Sequence, residues 1–438
     1  MAIKNVSIVY PNRFGGGIAC LAVHVLTSHL NKYRDISANA YFIENYSKIK
    51  NNDAILITLQ YENDYFNVVK IVKELKAQNP NAIFIAGGPC AISNPLPIQE
   101  FFDVFVVGEI EGTDTMYQLI NGNFEIPGVY VPKTYDNEKI KRIYPKKLRI
   151  DDYPISQVTH ESGAYGKAYL LEIGRGCIRN CKFCMAKCIY APPRYRKIED
   201  LKYLVDEGLK NTDADKVSLI APSVSDYKYV LDLCAHISEK NVSISPSSLR
   251  ADTITDELLE YLNLKTLTIA PEAGSEVLRK KIDKGITEEN ILNAVDIAKT
   301  HGISTVKLYY MVGFPDETEE DIEEIINLTK KIKDNVRKVD VSINPMVPKP
   351  HTPFEDFEFD MDSKTKIKYI EKSLRKIKVS VDFEKFNSMV AQTVLARGGS
   401  ELSKVLNESR NTIELIKNVD LDNYINKIEE KPWDFIEI

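Results

Sequence analysis

Residues 174–184 read GRGCIRNCKFC, which sets Cys177, Cys181 and Cys184 in a CxxxCxxC spacing within a chain of 438 residues and 7 cysteines. Thiols this close in sequence can wrap one centre from a single loop, and thiolates suit soft metals and iron–sulfur clusters. Zinc ribbons draw on two separated CxxC pairs, and the chain has no second pair, so zinc is the weaker alternative. Three thiolates leave one iron of a [4Fe–4S] cluster without a protein ligand, and an open position is what a catalytic metal centre keeps. Cys188 is the one nearby thiol that could close that corner, but the run APPRYR just after it indicates that the chain is leaving the loop. An odd cysteine count without a secretory layout fits metal ligation or free thiols better than a disulfide framework.

Around this loop, strand-like and helical patterns alternate. From residue 1 to about 145 the runs VSIVY, DAILITL, AIFIAGG and VFVVGE are separated by amphipathic stretches, one expected across Ile18 to Leu30 and another near Phe66 to Ala77. Short β-branched runs between helical patterns predict an α/β, doubly wound, Rossmann-like domain. Ligands of such sheets sit beyond the carboxyl ends of the strands. Those ends carry Gly16 and Gly17, then Thr58, Leu59, Gln60 and Tyr61, then Gly87, Gly88 and Pro89, then Gly108, Glu109 and Glu111. FGGG lacks the GxGxxG spacing of a dinucleotide fold, so a nucleotide, a flavin and a corrinoid remain open as ligands. Residues 146–167, within a polar and charged stretch, read as a linker. Between 168 and 380 six strand–helix steps recur, fewer than the eight of a closed barrel, which predicts a partial, open (β/α)6 barrel. Residues 381–438 are mixed and partly helical, and are expected to form a small C-terminal domain.

Hydrophobic residues at 44% supply enough apolar material for such cores, and a net charge of −6 argues against a general nucleic-acid or bilayer-surface binder. MAIKNVSIVY runs straight into a strand pattern, and no apolar run approaches the roughly 20 residues of a membrane span, so a cytoplasmic location is expected.

The cysteine spacing, with Phe183 before the last cysteine and a predicted strand before the first, resembles that of radical S-adenosylmethionine (SAM) enzymes. IAPEAGSEVLRK (269–280), KLYYMVGFPDETEEDI (307–322) and MVPKPHTPFE (346–355) extend the resemblance, and AGGPCAISNPLPIQEFFDVFVVGEIEGT is similar to the cobalamin-binding domain that precedes the barrel in many of them. The resemblance covers roughly residues 1–400. It implies a [4Fe–4S] cluster on Cys177, Cys181 and Cys184, with SAM on the open iron and the chemistry carried by the cofactors. It places Glu272 against a ribose hydroxyl or the amino group of SAM, Arg250 in a forked contact with its carboxylate, Ser248 nearby, and Val312 and Gly313 along the adenine. Two of these have structural alternatives, Glu272 as a helix cap and Arg250 as a surface ion pair, and His351 in KPHTPF reads as a turn residue rather than a base. Of Tyr309 and Tyr310, neighbours on one strand, one is expected in the core and the other facing substrate. Cobalamin would bind base-off, with Gln60 and Tyr61 bordering the cobalt, because the DxHxxG motif is absent and His24 lies in an apolar helical pattern. Some members keep such a domain without a corrinoid.

Taken together, the chain resembles the cobalamin-dependent radical SAM methyltransferases, which methylate unactivated carbons. A composition rich in Lys, Ile and Asn is similar to that of thermophilic methanogens, which suggests a resemblance to the enzymes that C-methylate a glutamine of methyl-coenzyme M reductase. Expected partners are a protein or peptide substrate and a low-potential electron donor such as ferredoxin, with no nucleic acid and no membrane. A methylthiotransferase would carry three further cysteines in its N-terminal domain, where Cys20 and Cys90 stand alone. A non-enzymatic carrier would not need APEAGS and VGFP, and cyclisation or lipid chemistry with the same cofactors stays open as an alternative.

Overall fold

The computed structural model describes residues 3–438. Strands β1 (Lys4–Val9), β2 (Ile36–Tyr41), β3 (Ala54–Thr58), β4 (Ile83–Gly87), β5 (Val104–Val106) and β6 (Val129–Tyr130) form one sheet in the order β2-β1-β3-β4-β5-β6. All pairings are parallel except the last, β5 with β6. The order reverses between β1 and β3, and a crevice at the carboxyl ends follows from that switch. DAILITL becomes β3 with every side chain buried, as a central strand covered on both faces requires. The helix expected across Ile18 to Leu30 is broken: a short turn Phe14–Gly17 precedes the helix Leu21–Leu30.

The second unit is an opened barrel. Strands β7 (Ala168–Glu172), β8 (Lys216–Ile220) and β9 (Ser243–Pro246) pair in the order β9-β8-β7. Strands β10 (Thr266–Glu272), β11 (Thr305–Val312), β12 (Lys338–Pro345) and β13 (Ser380–Asp382) form a second parallel sheet in chain order. The structure thus adds a short seventh strand to the six expected. Val306, Leu308, Tyr310 and Val312 of β11 pack beneath the outer helices, and the alternation turns Lys307, Tyr309 and Met311 to the inner face.

Two segments tie the units together. In the strap 146–167 the Tyr153 hydroxyl donates to the Leu170 carbonyl (2.6 Å) and accepts from the Glu172 N–H (2.8 Å), while Gln157 brackets both backbone groups of Leu170. Side chains thereby satisfy the free edge of β7. Residues 381–438 do not build a core of their own. Ala391, Val394, Leu395, Leu402, Leu406, Leu415 and Ile436 share one apolar cluster with Ile55 and Ile57 of β3, and Ile436–Glu437 pairs with Ile140–Lys141.

The domains meet at a buried ionic cluster. Glu109 accepts from Arg194 (2.7 and 2.9 Å), Arg175 (2.7 Å) and Arg142 (3.3 Å). Arg175 also reaches Glu111 (2.6 Å) and Glu172 (2.9 Å), and Glu172 accepts from Arg196 (3.0 Å). Burial would raise the Glu172 carboxyl, but Arg175 and Arg196 outweigh it and hold the group down to about 2. Because the folded value lies below the ordinary one of 4.5, Glu172 stabilises the fold above that range and loses its contribution as pH falls toward 2. Urea unfolding followed from about pH 5 to pH 3 should show stability declining, toward a total loss on the order of 3 kcal/mol from this group. The Glu172→Gln variant should show a shallower acid limb, and equal slopes would refute the assignment.

Candidate active site

The cysteine loop is closed at its base where Gly174–Arg175 pairs antiparallel with Arg194–Tyr195. Cys181 is buried, and Cys177 and Cys184 are half-buried. Burial pushes the Cys181 and Cys184 thiols up, so a bound metal would have to displace their protons. The Lys182 N–H donates to the Ile282 carbonyl (3.0 Å), and Phe183 packs on Phe314 with ring centres 5.8 Å apart, which anchors the loop to the barrel. Among the described residues no three His, Cys, Asp or Glu side chains converge on one ion position. Cys188 sits in the helix Met185–Ile189 with its thiol toward the Cys184 carbonyl (3.8 Å).

A cavity of about 440 Å³ separates the strand ends of the N-terminal sheet from this loop. Thr58, Gln60, Gly87, Gly88, Pro89, Gly108, Glu109 and Glu111, all expected at a ligand, line it, together with Cys20. Across from them stand Arg175, Gly176, Ala186 and Tyr190 of the loop and Ala221 and Pro222 after β8. Thr58 lines this wall, but its hydroxyl has almost no surface open to the cavity and no partner among the described residues. Gly88 adopts φ +109°, which lets the chain pass tightly over Leu59.

Several expected contacts are corrected. Leu59 is fully buried in the core and Tyr61 is 63% exposed, and neither lines the cavity. Gly16 and Gly17 also lie off it; a Cβ on Gly17 would run into the Phe42 ring, so packing rather than a ligand requires that glycine. Glu109 and Glu111 face the cavity but commit their carboxylates to arginines. His24 is held inside its helix with Nε2 2.9 Å from the Ile18 carbonyl.

Around the cysteines, Glu272 lies at φ +71° beside a register shift in β10, with Lys284 Nζ at 2.9 Å. It does not cap the following helix, because the Ser275 hydroxyl accepts from the Leu278 N–H there. A glutamate at positive φ is strained backbone of the kind that clusters at functional sites. Arg250 is neither exposed nor free for a substrate carboxylate: it donates to Asp252 (2.9 and 3.1 Å) and to the Lys284 carbonyl (3.0 Å). Ser248 is half-buried, and its carbonyl accepts from the Val224 N–H. The Val312 side chain is in the core, and a Cβ on Gly313 would meet Asp360 and Ser363 at 2.8 and 2.6 Å, so only backbone there is available to an adenine. Tyr310 is corrected to a core residue whose hydroxyl lies 3.4 Å from Thr329, whereas Tyr309 is 37% exposed beneath Lys307 (4.9 Å). His351 is a turn residue at φ +62°, its N–H donating to Glu355 (2.6 Å). Arg175, Arg179 and Lys284 escaped the sequence reading, although the first two flank Cys177 and announce themselves only as charges beside a metal motif.

A family model for the radical SAM superfamily matches residues 171–329, and one for radical SAM proteins, N-terminal, matches residues 18–132. An uncharacterized protein of Methanocaldococcus jannaschii is 61% identical, covering 98% of this chain and 97% of its own. An uncharacterized methyltransferase of Pyrococcus horikoshii is 28% identical over 72% of this chain and 73% of its own. In fold, the chain is similar to the radical S-adenosylmethionine methyltransferase TsrM of Kitasatospora setae, solved with cobalamin and a [4Fe–4S] cluster (TM-score 0.62, 14% identity, 81% of this chain and 74% of that one). It is also similar to the cobalamin-dependent S-adenosylmethionine radical enzyme OxsB (TM-score 0.56, 15% identity, 86% and 56%).

After anaerobic reconstitution, Ala at Cys177, Cys181 or Cys184 should cut bound iron severalfold, as read by iron and sulfide analysis. Cys188→Ala should retain iron at the unsubstituted level, and a comparable loss there would make it a fourth ligand.

Proposed function

This chain belongs to the radical SAM superfamily, and we propose that it is a cobalamin-dependent methyltransferase acting on an unactivated carbon. The observation that carries the proposal is the cavity between the glycine-lined strand ends and the cysteine loop. When bound, the cluster and SAM supply a hydrogen-abstracting radical, and cobalamin supplies the methyl group.

The chain's own residues bind, orient and exclude water. Cys177, Cys181 and Cys184 hold the cluster. Thr58 and Gln60 border the corrinoid from the N-terminal side, with Gly87, Gly88 and Gly108 allowing close approach of backbone. His24, held by the Ile18 carbonyl and off the cavity, would not serve as a ligand to a corrinoid bound there. Glu272 and its partner Lys284 stand at the end of β10, next to the cysteine loop, in reach of the polar groups of SAM. On the inner barrel face Tyr309 pairs in register with Ser342 of β12, and Ser342 with Asp382 of β13, so the three form a polar row. Among the described residues no carboxylate lies within salt-bridge distance of Lys307, which sits beside Tyr309 and leaves a cation to meet a carbonyl or carboxamide oxygen of the substrate.

A carboxamide suits that row, and the substrate we favour is a glutamine side chain of a protein such as methyl-coenzyme M reductase. The electron donor is a low-potential protein such as ferredoxin, and the setting is cytoplasmic, without nucleic acid or membrane. Among the described residues no helix is long and apolar enough to cross a membrane. Methylthio transfer is disfavoured because Cys90 is buried and Cys20 has no companion thiols on the N-terminal sheet.

Anaerobic reconstitution with hydroxocobalamin should load close to one corrinoid per chain, read from its absorbance spectrum; uptake of the cluster without corrinoid would sink the proposal. With a glutamine-containing peptide as probe, Tyr309→Phe should lower methylation by about tenfold or more while 5′-deoxyadenosine still forms. Tyr310→Phe should leave the ratio of the two products unchanged.

A further inference from the structure

Arg179 lies between the first two cysteines, yet its side chain leaves the loop and enters the barrel. Its guanidinium grips Asp226 with two nitrogens, one of them Nε at 3.0 Å, and reaches Asp252 at 3.3 Å. Asp252 accepts the fork of Arg250, and Arg250 passes on to the Lys284 carbonyl (3.0 Å). The chain of side chains therefore joins the cysteine loop to the loops after β8, β9 and β10. The Asp226 side chain is 3% exposed, so the pair is partly desolvated and its geometry is closely set. The backbone also turns back: the Arg179 N–H donates to Cys177 Sγ at 3.4 Å.

We propose that Arg179 is a positioning residue that holds the cysteine loop in its ligating conformation and, through Cys177, raises the reduction potential of the cluster. An N–H donor on a ligand sulfur and a nearby cation both stabilise the added electron, and outer partners of this kind tune a metal centre as well as orienting its ligands. Without the guanidinium the loop loses its anchor, and Asp226 is left without its ion-pair partner near the cluster, while Asp252 keeps Arg250. Both effects push the potential down. The inference rests on ligation by the three cysteines and not on methyl transfer.

The test uses the full chain, first without metal and then reconstituted. In metal-free Arg179→Met, hydrogen exchange over residues 176–184 should accelerate about tenfold or more, while β7 keeps its protection. On reconstitution the variant should hold severalfold less iron, and the cluster that does form should have a more negative midpoint in an EPR-monitored redox titration. Arg179→Lys, which keeps the charge but not the fork, should recover most of the potential and only part of the exchange protection. Arg410→Met, which removes an exposed arginine paired with Glu414, should change none of these. If Arg179→Met fails to fold, Asp252→Asn loosens the same chain at one anchor and should speed exchange and lower bound iron in the same direction by less, while the lost carboxylate charge should move the midpoint the opposite way, to less negative values. Unsubstituted exchange together with an unshifted potential would overturn the proposal whether or not the protein binds cobalamin.

Discussion

Four arginines and three glutamates, buried where two domains meet, fix the geometry on which everything else depends. Burying so much charge is favourable only when nearly every ion is paired and hydrogen-bonded, and removing one member strands its neighbours. Here Arg142, Arg194 and Arg175 converge on Glu109, and Arg175 spans Glu109, Glu111 and Glu172. Arg142 and Arg194 further stack on Tyr144, and Arg196 on Tyr153, which removes alternative positions for their planes. Arg175 stands two residues before Cys177. The relative placement of the cavity wall and the cysteine loop is therefore set by one side chain with three carboxylate partners.

The same economy appears around the cysteines. Backbone bonds to Ile282, ring packing of Phe183 on Phe314 and the outward reach of Arg179 approach the loop from three sides. A site of this class must hold ligands, cosubstrate and substrate within a small volume while excluding water, and that is achieved by rigid elements beneath a loop. The half-exposed Tyr309 is a different kind of residue: it sits on a strand, so its position is fixed, yet its inner face is left free.

Much of the fold was legible because periodicity is a local signal. The alternation of DAILITL, KVSLI and TVKLYYMV with helical stretches marks parallel strands wherever they fall in space, and the cysteine spacing marks a metal loop without any knowledge of its surroundings. What failed to show was of two kinds. Short elements with few apolar residues, such as β13, carry too little pattern to register. Long-range pairings carry none: nothing in GEIEGT says that Glu109 will meet arginines 33, 66 and 85 residues away, so its carboxylate read as a ligand contact. The glycines misled for a related reason, since a missing Cβ is required equally by Phe42 against Gly17 and by a cofactor against backbone.

The way residues 386–437 complete the N-terminal core bears on how the chain is made. The face of the first sheet that receives Val394, Leu395 and Leu406 is covered early by Val68, Val72 and Leu75, but its packing is complete only once those later residues leave the ribosome, hundreds of positions after β3 was synthesised. The first domain to emerge is thus among the last to be finished. During that interval part of an apolar surface stands open, and Ile436–Glu437 can pair with Ile140–Lys141 only after it.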